Sequence, residues 1–266
     1  MTIDFYKFQG TGNDFVMIDN RKNDFPALSQ QQIAFICDRK LGIGADGFIK
    51  LNPSEEYDFE MEYYNSDGRI SSMCGNGGRC IVAFAAFLGH IKNECSFIAI
   101  DGLHEASILS QNNNIYNVSL KMIDVEKVEE KEEGLFLNTG SPHHIKFVES
   151  TEKADVFNDG KRIRNEVYGK EGANINFVEI QDKKIKVRTY ERGVENETLS
   201  CGTGVTACAI STLFHLNKLE ENNEVAIDTL GGDLSVKFQF DNINKKYHNI
   251  FLQGPATYVF KGSIDI

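Results

Sequence analysis

The sequence predicts an α+β protein of two pseudo-symmetric domains, each a mostly antiparallel sheet with one central helix. Motifs recur in the same order about 127 residues apart, and many short segments alternate apolar and polar residues. One helical segment in each half is apolar on most faces. Alternation is typical of antiparallel strands with one buried face. A helix that is apolar all round is expected to be buried, here within its own sheet.

Three segments of the first half have counterparts in the second half and give four correspondences. The motif "TGNDFV" corresponds to "TGSPHHI", and "GADGFI" corresponds to "GANINFV". The longer segment "EYYNSDGRISSMCGNG" supplies two more matches, against "RTYERGVENETLSCGTG". Because the matches keep their order and spacing, they indicate a duplication. The equivalent pairs are Asn13 and Ser141, Asp46 and Asn174, Asn65 and Arg192, and Cys74 and Cys201.

The elements follow from local patterns. Strands are predicted at 15–20, 59–65, 96–100, 105–110 and 115–123, and then at 176–180, 184–191, 224–229, 234–240, 249–254 and 256–260. Helices are predicted at 29–39, where Ser29 can cap the N-terminus, and at 76–89 and 203–217. The charged run 124–134 predicts a solvated linker, so the domains are expected at 1–123 and 124–255.

Composition excludes several classes of function. The formal net charge of −11 disfavours binding to nucleic acid. The N-terminus lacks the apolar core of a signal peptide, and the longest apolar run, 81–88, is far too short to span a membrane. We therefore expect a cytoplasmic protein. Six cysteines without a CxxC pair predict neither a disulfide framework nor a structural zinc site.

Two of these cysteines stand at the start of glycine turns that open the central helices. Cys74 begins "CGNGGRC" and Cys201 begins "CGTGVTAC". The first amides of a helix can hold a carboxylate, and the same positive field favours a thiolate. A free cysteine is more often a small buried apolar residue. That interpretation is preferred for Cys80 and Cys208, but the repeated context favours function for Cys74 and Cys201.

The duplication predicts a ligand-binding cleft between the halves, with Cys74 and Cys201 on opposite walls. A base on one face of a carbon and an acid on the other perform inversion at a stereocentre. Thiols suit both tasks because modest environmental changes bring their pKa near neutrality. Preorganised amides stabilise the enediolate that develops next to a carboxylate.

Other polar residues are candidates for substrate binding. Arg192 can grip a carboxylate through two parallel hydrogen bonds, and Glu191 can bind an ammonium group. A surface ion pair is the alternative for these two residues. Asn13, Asn65 and Asn174 lie where strands meet loops. One of His143 and His144 is expected to line the site, and the other to lie at the surface.

At these residues the chain resembles the diaminopimelate epimerase family, over essentially its whole length. The resemblance rests on "GTGNDF", "GIGADG", "NSDG", "CGNGGRC", "GSPHH", "YERG" and "CGTGVTA". It implies two pseudo-symmetric α+β domains, each a curled sheet around a central helix, with a C-terminal strand, 256–266, returning to the first domain. It also implies an enzyme of lysine and cell-wall precursor biosynthesis that uses neither pyridoxal phosphate nor a metal. The resemblance implies that this enzyme is a homodimer.

The resemblance implies roles for individual residues. Cys74 and Cys201 are implied as the acid and base. The amides of four residues are implied to hold the reacting carboxylate: Gly75, Asn76, Gly202 and Thr203. Asn13, Asn65, Asn174, Glu191 and Arg192 are implied to bind the rest of the substrate, and His143 and Glu191 to support catalysis.

The chain departs from the family pattern at three places. Ser141 replaces the usual Asn, Gly47 stands where some members carry a polar side chain, and one extra residue lies between Arg192 and Cys201. These departures bear on the substrate more than on inversion. The alternatives are a racemase for histidine, proline or another amino acid, an isomerase of the phenazine-enzyme type, and a non-catalytic amino-acid binder. Cys74 and Cys201 argue against the last two.

Overall fold

The computed structural model describes residues 1–266, which divide into two compact units. Unit 1 comprises Met1–Leu120 together with Gly254–Ile266, and unit 2 comprises Lys121–Gln253. None of the helices is long and apolar enough to cross a membrane.

Unit 1 contains two helices among short strands. In chain order its elements are β1 (Thr2–Gly10), β2 (Asn13–Asp19), α1 (Gln30–Cys37), β3 (Gly47–Asn52), β4 (Phe59–Asn65), α2 (Gly75–Phe87), β5 (Glu94–Ala99), β6 (Gly102–Asn112) and β7 (Ile115–Lys121).

Unit 2 has the same kinds of element. They are β8 (Glu129–Lys131), β9 (Gly134–Asn138), β10 (Pro142–Phe147), α3 (Val156–Glu166), β11 (Asn174–Ile180), β12 (Lys184–Glu191), β13 (Asn196–Thr198), α4 (Gly202–His215), β14 (Asn222–Thr229) and β15 (Gly232–Asp241). The long last strand, β16 (Lys246–Asp265), gives its first part to unit 2 and the rest to unit 1.

The sheet of unit 1 closes on itself. Its strand order is β1-β2-β3-β4-β5-β6-β7-β16, and β16 also pairs with β1. Two pairs are parallel, β2 with β3 and β4 with β5, and the others are antiparallel. Helix α2 packs against β1, β2, β3 and β6. Every residue of α2 from Gly75 to Ala85 is buried, so this helix forms the core of unit 1.

The sheet of unit 2 has the order β16-β15-β14-β12-β11-β10-β9-β8, with β13 paired to β12. Again two pairs are parallel, β10 with β11 and β12 with β14. Helix α4 packs against β9 to β12, β14 and β15, and nearly all of its first three turns are buried. The apolar side chains from which both central helices were predicted are therefore buried against the strands of each unit.

Several elements differ from the sequence predictions. Helix α1 begins after Ser29, whose side chain forms a capping box with Gln32, as predicted. Helix α3, capped by Asp155, was missed because its mean hydropathy is low and only three of its residues are buried. The two strands predicted at 249–254 and 256–260 are one strand, β16. It pairs with β15 up to Gln253 and with β7 from Gly254, so Pro255 stands where the partner changes.

Candidate functional site

Cys74 is the N-cap residue of α2. Its backbone is extended (φ −103°, ψ 150°), and its half-buried sulfur accepts a hydrogen bond from the Gly77 amide at 3.2 Å. The first intrahelical bond runs from Gly78 N–H to the Cys74 carbonyl, so the amides of Gly75 and Asn76 precede the helical ladder. An N–H that donates to sulfur favours the thiolate over the thiol.

Asn13, at the start of β2, approaches the same sulfur. Its Nδ2 donates to Asp46 Oδ2 at 2.7 Å, which turns Oδ1 toward Cys74 Sγ, 3.9 Å away. An amide oxygen can accept a hydrogen bond from a thiol but cannot donate one to a thiolate. The surroundings of Cys74 therefore contain one group suited to each protonation state.

Charged side chains hold Asn13 and its neighbours in place. Arg39 bonds to Asp14 at 2.7 Å and to Asp46 at 2.8 Å, and Lys7 lies 2.9 Å from Asp14. Burial raises the pKa of Asp14, but hydrogen bonds from Arg39 and Lys7 lower it to about 2. Two cations and two carboxylates thus compensate one another beside β2.

The other predicted residues of unit 1 lie along the strand ends. Asn65 is the exposed last residue of β4, and its backbone closes a turn with Arg69. Gly47 pairs with Asn65 across β3 and β4. A Cβ on Gly47 would lie 2.5 Å from the Tyr63 ring and 2.9 Å from the Tyr64 carbonyl. Glycine is therefore required here by the packing of Tyr63, and Gly47 can offer only its backbone.

Cys201 is the N-cap of α4, as Cys74 is of α2. Its backbone is extended, and Val205 N–H donates to its carbonyl at 2.9 Å. The half-buried sulfur lies 3.5 Å from the Thr203 hydroxyl. The amides of Gly202 and Thr203 precede the helical ladder, so this turn repeats the backbone arrangement of the first.

His143 is fully buried behind Thr203, and its neighbours fix its tautomer. Asn176 Nδ2 donates to the His144 carbonyl at 3.1 Å, while its Oδ1 accepts from Thr189 at 2.9 Å. The same Nδ2 lies 3.2 Å from His143 Nδ1, which must therefore be an acceptor. Nε2 then carries the hydrogen and donates to oxygens at 2.9 Å, on Ser141 and Thr203.

Burial lowers the pKa of His143 to about 3, with a further lowering from the charge of Arg192. The imidazole is neutral at physiological pH. Because Nε2–H donates to the Thr203 hydroxyl, that hydroxyl can in turn donate to Cys201 Sγ. The chain Asn176–His143–Thr203–Cys201 therefore ends in a hydroxyl 3.5 Å from the sulfur, which can donate to a thiolate or accept from a thiol.

Asn174 links this cluster to Arg192. Its Nδ2 donates to Ser141 Oγ at 3.1 Å, and its Oδ1 accepts from the Arg192 amide at 2.8 Å. Arg192 is exposed, and its Nη1 donates to the Glu171 carbonyl at 2.9 Å. Glu191, the last residue of β12, accepts from the Thr198 hydroxyl at 2.9 Å.

Within each unit the structure brings predicted residues together. In unit 1, Asn13 and the turn of Gly75 and Asn76 surround Cys74, while Asn65 lies at the end of β4, where its backbone bonds to Arg69. In unit 2, Ser141, His143, Asn174 and Thr203 form one hydrogen-bonded cluster beside Cys201. The expectation that one of the two histidines lies at the surface was wrong. His144 is as fully buried as His143. Its Nδ1 lies 2.8 Å from the Tyr168 hydroxyl, so a protein group takes the place that water would have at the surface.

Asn176 and Arg79 were not predicted. Asn176 follows Asn174 by two positions, so strand alternation places both side chains on one face, and this signal was present in the sequence. Arg79 is a lone charge in the apolar segment 75–88, which was a second signal.

Comparisons with known proteins assign the chain to a family. The family model described as diaminopimelate epimerase matches residues 5–128 and 135–259. A diaminopimelate epimerase of Flavobacterium psychrophilum is 52% identical, over 97% of this chain and 99% of that protein. The diaminopimelate epimerase of Aquifex aeolicus is 39% identical, over 98% of this chain and 98% of that protein. The diaminopimelate epimerase of Chlorobaculum tepidum is also 39% identical, over 97% of this chain and 99% of that protein.

Solved structures share the fold at low sequence identity. A phenazine biosynthesis protein of the PhzF family from Bacillus anthracis superposes with a TM-score of 0.78 at 15% identity, over the whole of both chains. A probable proline racemase from Agrobacterium radiobacter gives 0.70 at 12% identity, over 99% of this chain and 93% of that one. These likenesses show a two-domain fold of this kind and carry no information on the substrate.

Proposed function

Because the chain belongs to the diaminopimelate epimerase family, we propose that it interconverts LL- and meso-2,6-diaminopimelate for lysine and peptidoglycan precursor biosynthesis. The observation that carries the proposal is the surroundings of one cysteine in each unit. In each unit a half-buried cysteine is the N-cap residue of a buried central helix, directly before the first-turn amides. This combination of a thiol and an anion cradle occurs twice in one chain.

We further propose that the two units are pseudo-symmetric halves of a duplication. The pairing pattern supports this: β2–β3 parallel, β3–β4 antiparallel and β4–β5 parallel match β10–β11, β11–β12 and β12–β14. The cysteine helix follows β4 in one unit and the β12–β13 hairpin in the other. Gly44 and Gly172, which are equivalent in sequence, both have positive φ, 82° and 63°.

In the proposed reaction one thiolate removes the α-proton, and the C–H electron pair moves into the adjacent carboxylate to give an enediolate. The other thiol delivers its proton to the opposite face of the carbon. The first cysteine ends as a thiol and the second as a thiolate, so the reverse reaction exchanges their roles. General acid–base catalysis of this kind contributes about 10²- to 10⁴-fold to a rate.

The helix turns would stabilise the enediolate. Amides of Gly75, Asn76, Gly202 and Thr203 lie at the positive ends of two helices, where an oxyanion gains from both hydrogen bonds and the helix dipole. Removing a donor of this type typically costs about 3 kcal/mol in the transition state. No cofactor is required to delocalise the charge, and we propose that the enzyme uses neither pyridoxal phosphate nor a metal.

Polar side chains away from the thiols would bind the distal amino acid group. Arg192 suits the distal carboxylate, and Asn13, Asn65, Asn174 and Glu191 suit the amino groups and the remaining oxygens. Ser141 is already bonded to His143 and Asn174, so it would act mainly by orienting these two residues.

We also propose that the working enzyme is a homodimer.

A chiral assay tests the proposal. Purified protein is incubated with LL-diaminopimelate, and the LL and meso isomers are separated by chiral chromatography, with L-proline and L-histidine assayed in parallel. We expect LL-diaminopimelate to reach an equilibrium mixture while both other amino acids remain unchanged. Turnover of proline or histidine without turnover of diaminopimelate would assign the chain to a different racemase. Dialysis against EDTA is expected to leave the rate unchanged.

A further inference from the structure

Arg79 is a charged residue in the core of unit 1. It lies in the second turn of α2 with no exposed surface. Its Nη1 donates to the Gly75 carbonyl at 3.2 Å, and its Nη2 donates at 3.0 Å to both Thr11 Oγ1 and Asn76 Oδ1. Its Nε is buried without a hydrogen-bond partner. All of these acceptors are neutral, so the guanidinium charge has no carboxylate among its bonded partners.

An uncompensated buried charge is costly, and such groups are normally paired with an anion. The carboxylates around the Cys74 turn are already bonded to other groups. Lys7 and Arg39 pair with Asp14 and Asp46 beside β2. The Asp101 carboxylate lies 3.3 Å from His104 Nε2 and accepts from the Met73 amide. Neither group leaves a carboxylate for Arg79.

Two sulfurs remain as possible anions near Arg79, and they differ in exposure. Cys80 is fully buried, and burial raises the pKa of its thiol far above neutrality, so it stays protonated. Cys74 is half-buried, and the Gly77 amide points at its sulfur. The side chains of Ile49 and Met61 lie against Gly77, and the neutral Asn13 amide oxygen lies 3.9 Å from the sulfur. The Cys74 thiolate is the anion that fits.

The equivalent position in unit 2 carries no charge. Counting five residues from each cysteine, Arg79 corresponds to Thr206, which is also fully buried. Thr206 Oγ1 donates to the Gly202 carbonyl at 2.9 Å, just as Arg79 donates to the Gly75 carbonyl. The backbone contact is thus retained while the cation is absent. His143 in the Cys201 cluster is neutral, and the cation linked to this cluster, Arg192, is exposed and bonded to Asn174 only through its backbone amide.

We infer that Arg79 is a positioning residue whose buried charge holds Cys74 as the resting thiolate, while Cys201 rests as the thiol. The inference rests on the proposed epimerase function and adds a direction to it. In the resting enzyme Cys74 accepts the α-proton and Cys201 donates one to the opposite face. Each turnover leaves the reversed pair, Cys74 as thiol and Cys201 as thiolate, which is restored by proton exchange with water or by the reverse reaction.

Thiol alkylation without substrate tests the inference separately from the epimerase activity. The full-length protein is treated with iodoacetamide at pH 5 to 10, and labelling of the Cys74 and Cys201 peptides is followed by mass spectrometry. In the unmodified sequence we expect Cys74 to reach half-maximal alkylation rate at a lower pH than Cys201. In Arg79→Met the rate at Cys74 at pH 7 is expected to fall about tenfold. Arg79→Lys should restore most of it.

Matched controls separate charge from packing. Thr206→Val, at the equivalent position of α4, is expected to leave the Cys74 profile unchanged, and Arg79→Met should leave the Cys201 profile unchanged. Two results would overturn the inference. One is an equal dependence of alkylation rate on pH for Cys74 and Cys201, and the other is a Cys74 alkylation rate in Arg79→Met that matches the unmodified protein at every pH. If Arg79→Met does not fold, the comparison of Cys74 with Cys201 and the Arg79→Lys profile decide. A protein with unequal thiols but no turnover of diaminopimelate would refute the proposed function alone.

Discussion

The backbone amide of Gly77 donates to the sulfur of Cys74 at 3.2 Å. In unit 2 the equivalent sulfur, on Cys201, lies 3.5 Å from the Thr203 hydroxyl and forms no side-chain cap bond to the helix. The two helix turns are therefore alike in backbone but different in the groups that meet sulfur. The proposed reaction needs this kind of pair, since one thiol must accept a proton while the other donates one.

Replacing either cysteine should abolish inversion. For Cys74→Ser and Cys201→Ser we expect kcat to fall at least about 10³-fold, because a serine hydroxyl is a far weaker base than a thiolate. The chiral assay of LL-diaminopimelate measures this. Cys95→Ala is the control, since Cys95 is a buried residue of β5 remote from both turns in sequence. Either serine variant turning over at the unmodified rate would exclude a two-thiol mechanism.

The Thr203 hydroxyl should be needed for the rate. Thr203→Val removes the donor that links His143 to Cys201 and keeps the side-chain volume, so we expect kcat to fall about 10- to 100-fold, the effect of a hydrogen bond to a charged group. Thr203→Ser should retain most of the activity. The neighbouring Thr206→Val, which removes only a bond to a helix carbonyl, serves as the control for helix integrity. A Thr203→Val kcat within twofold of the unmodified enzyme would remove Thr203 from the mechanism.

Buried histidines should make the fold sensitive to mild acid. The pKa values of His143 and His144 are lowered by burial to about 3 and about 4, below the usual 6.5. Below pH 6.5 the unfolded chain binds protons that the folded chain does not, so stability falls as the pH falls. Each histidine contributes up to about 1.4 kcal/mol per pH unit. Urea denaturation at pH 6.5 and 4.5 measures the loss.

The variant His143→Gln assigns part of this loss to one residue. Its unfolding free energy should depend less steeply on pH between 6.5 and 4.5, by about one proton. An unchanged slope, or a His143 NMR signal that titrates near pH 6.5, would show that the imidazole is not buried in its neutral form.

Equivalent glycines in the two helix turns should respond differently to alanine. A Cβ on Gly204 would lie 2.6 Å from Asn176 Oδ1 and 3.3 Å from His143 Cε1. The contacts at Gly77 are looser, with Cys74 Sγ at 3.3 Å the nearest. We expect Gly204→Ala to destabilise the protein by about 2–3 kcal/mol and Gly77→Ala by less. Thermal unfolding of both variants checks the order, and the opposite order would contradict the described packing.

Much of this arrangement could be predicted from the sequence. The glycine turns and the apolar segments after them predicted α2 and α4 to within about two residues at each end. A long segment of apolar residues that begins at a turn is among the clearest signs of a buried helix in a sequence. Several strands were missed, among them β1, β3 and β10. In β3 four of the six residues are buried, including three in a row, which hides the alternation by which a strand is recognised.

The polar partners within each unit were harder to foresee. Nothing in the order of residues shows that Asn176 reaches His143, since β10 and β11 pair in parallel and only their register brings the side chains together. One of His143 and His144 was expected at the surface, but both are fully buried. Both sides of β10 are covered here, one by α4 and the other through Tyr168.

Isotope incorporation tests the two-thiol mechanism most directly. LL-diaminopimelate is incubated with the enzyme in D₂O, and the reaction is stopped after a few per cent of conversion. Mass spectrometry and NMR then give the deuterium content of the separated isomers. We predict one deuterium at the inverted carbon of every meso product molecule and protium in the remaining LL substrate, because the delivering thiol has exchanged with solvent and the accepting thiol has not. Protium retained at the inverted carbon of the product would show a single base returning its own proton and would contradict the account.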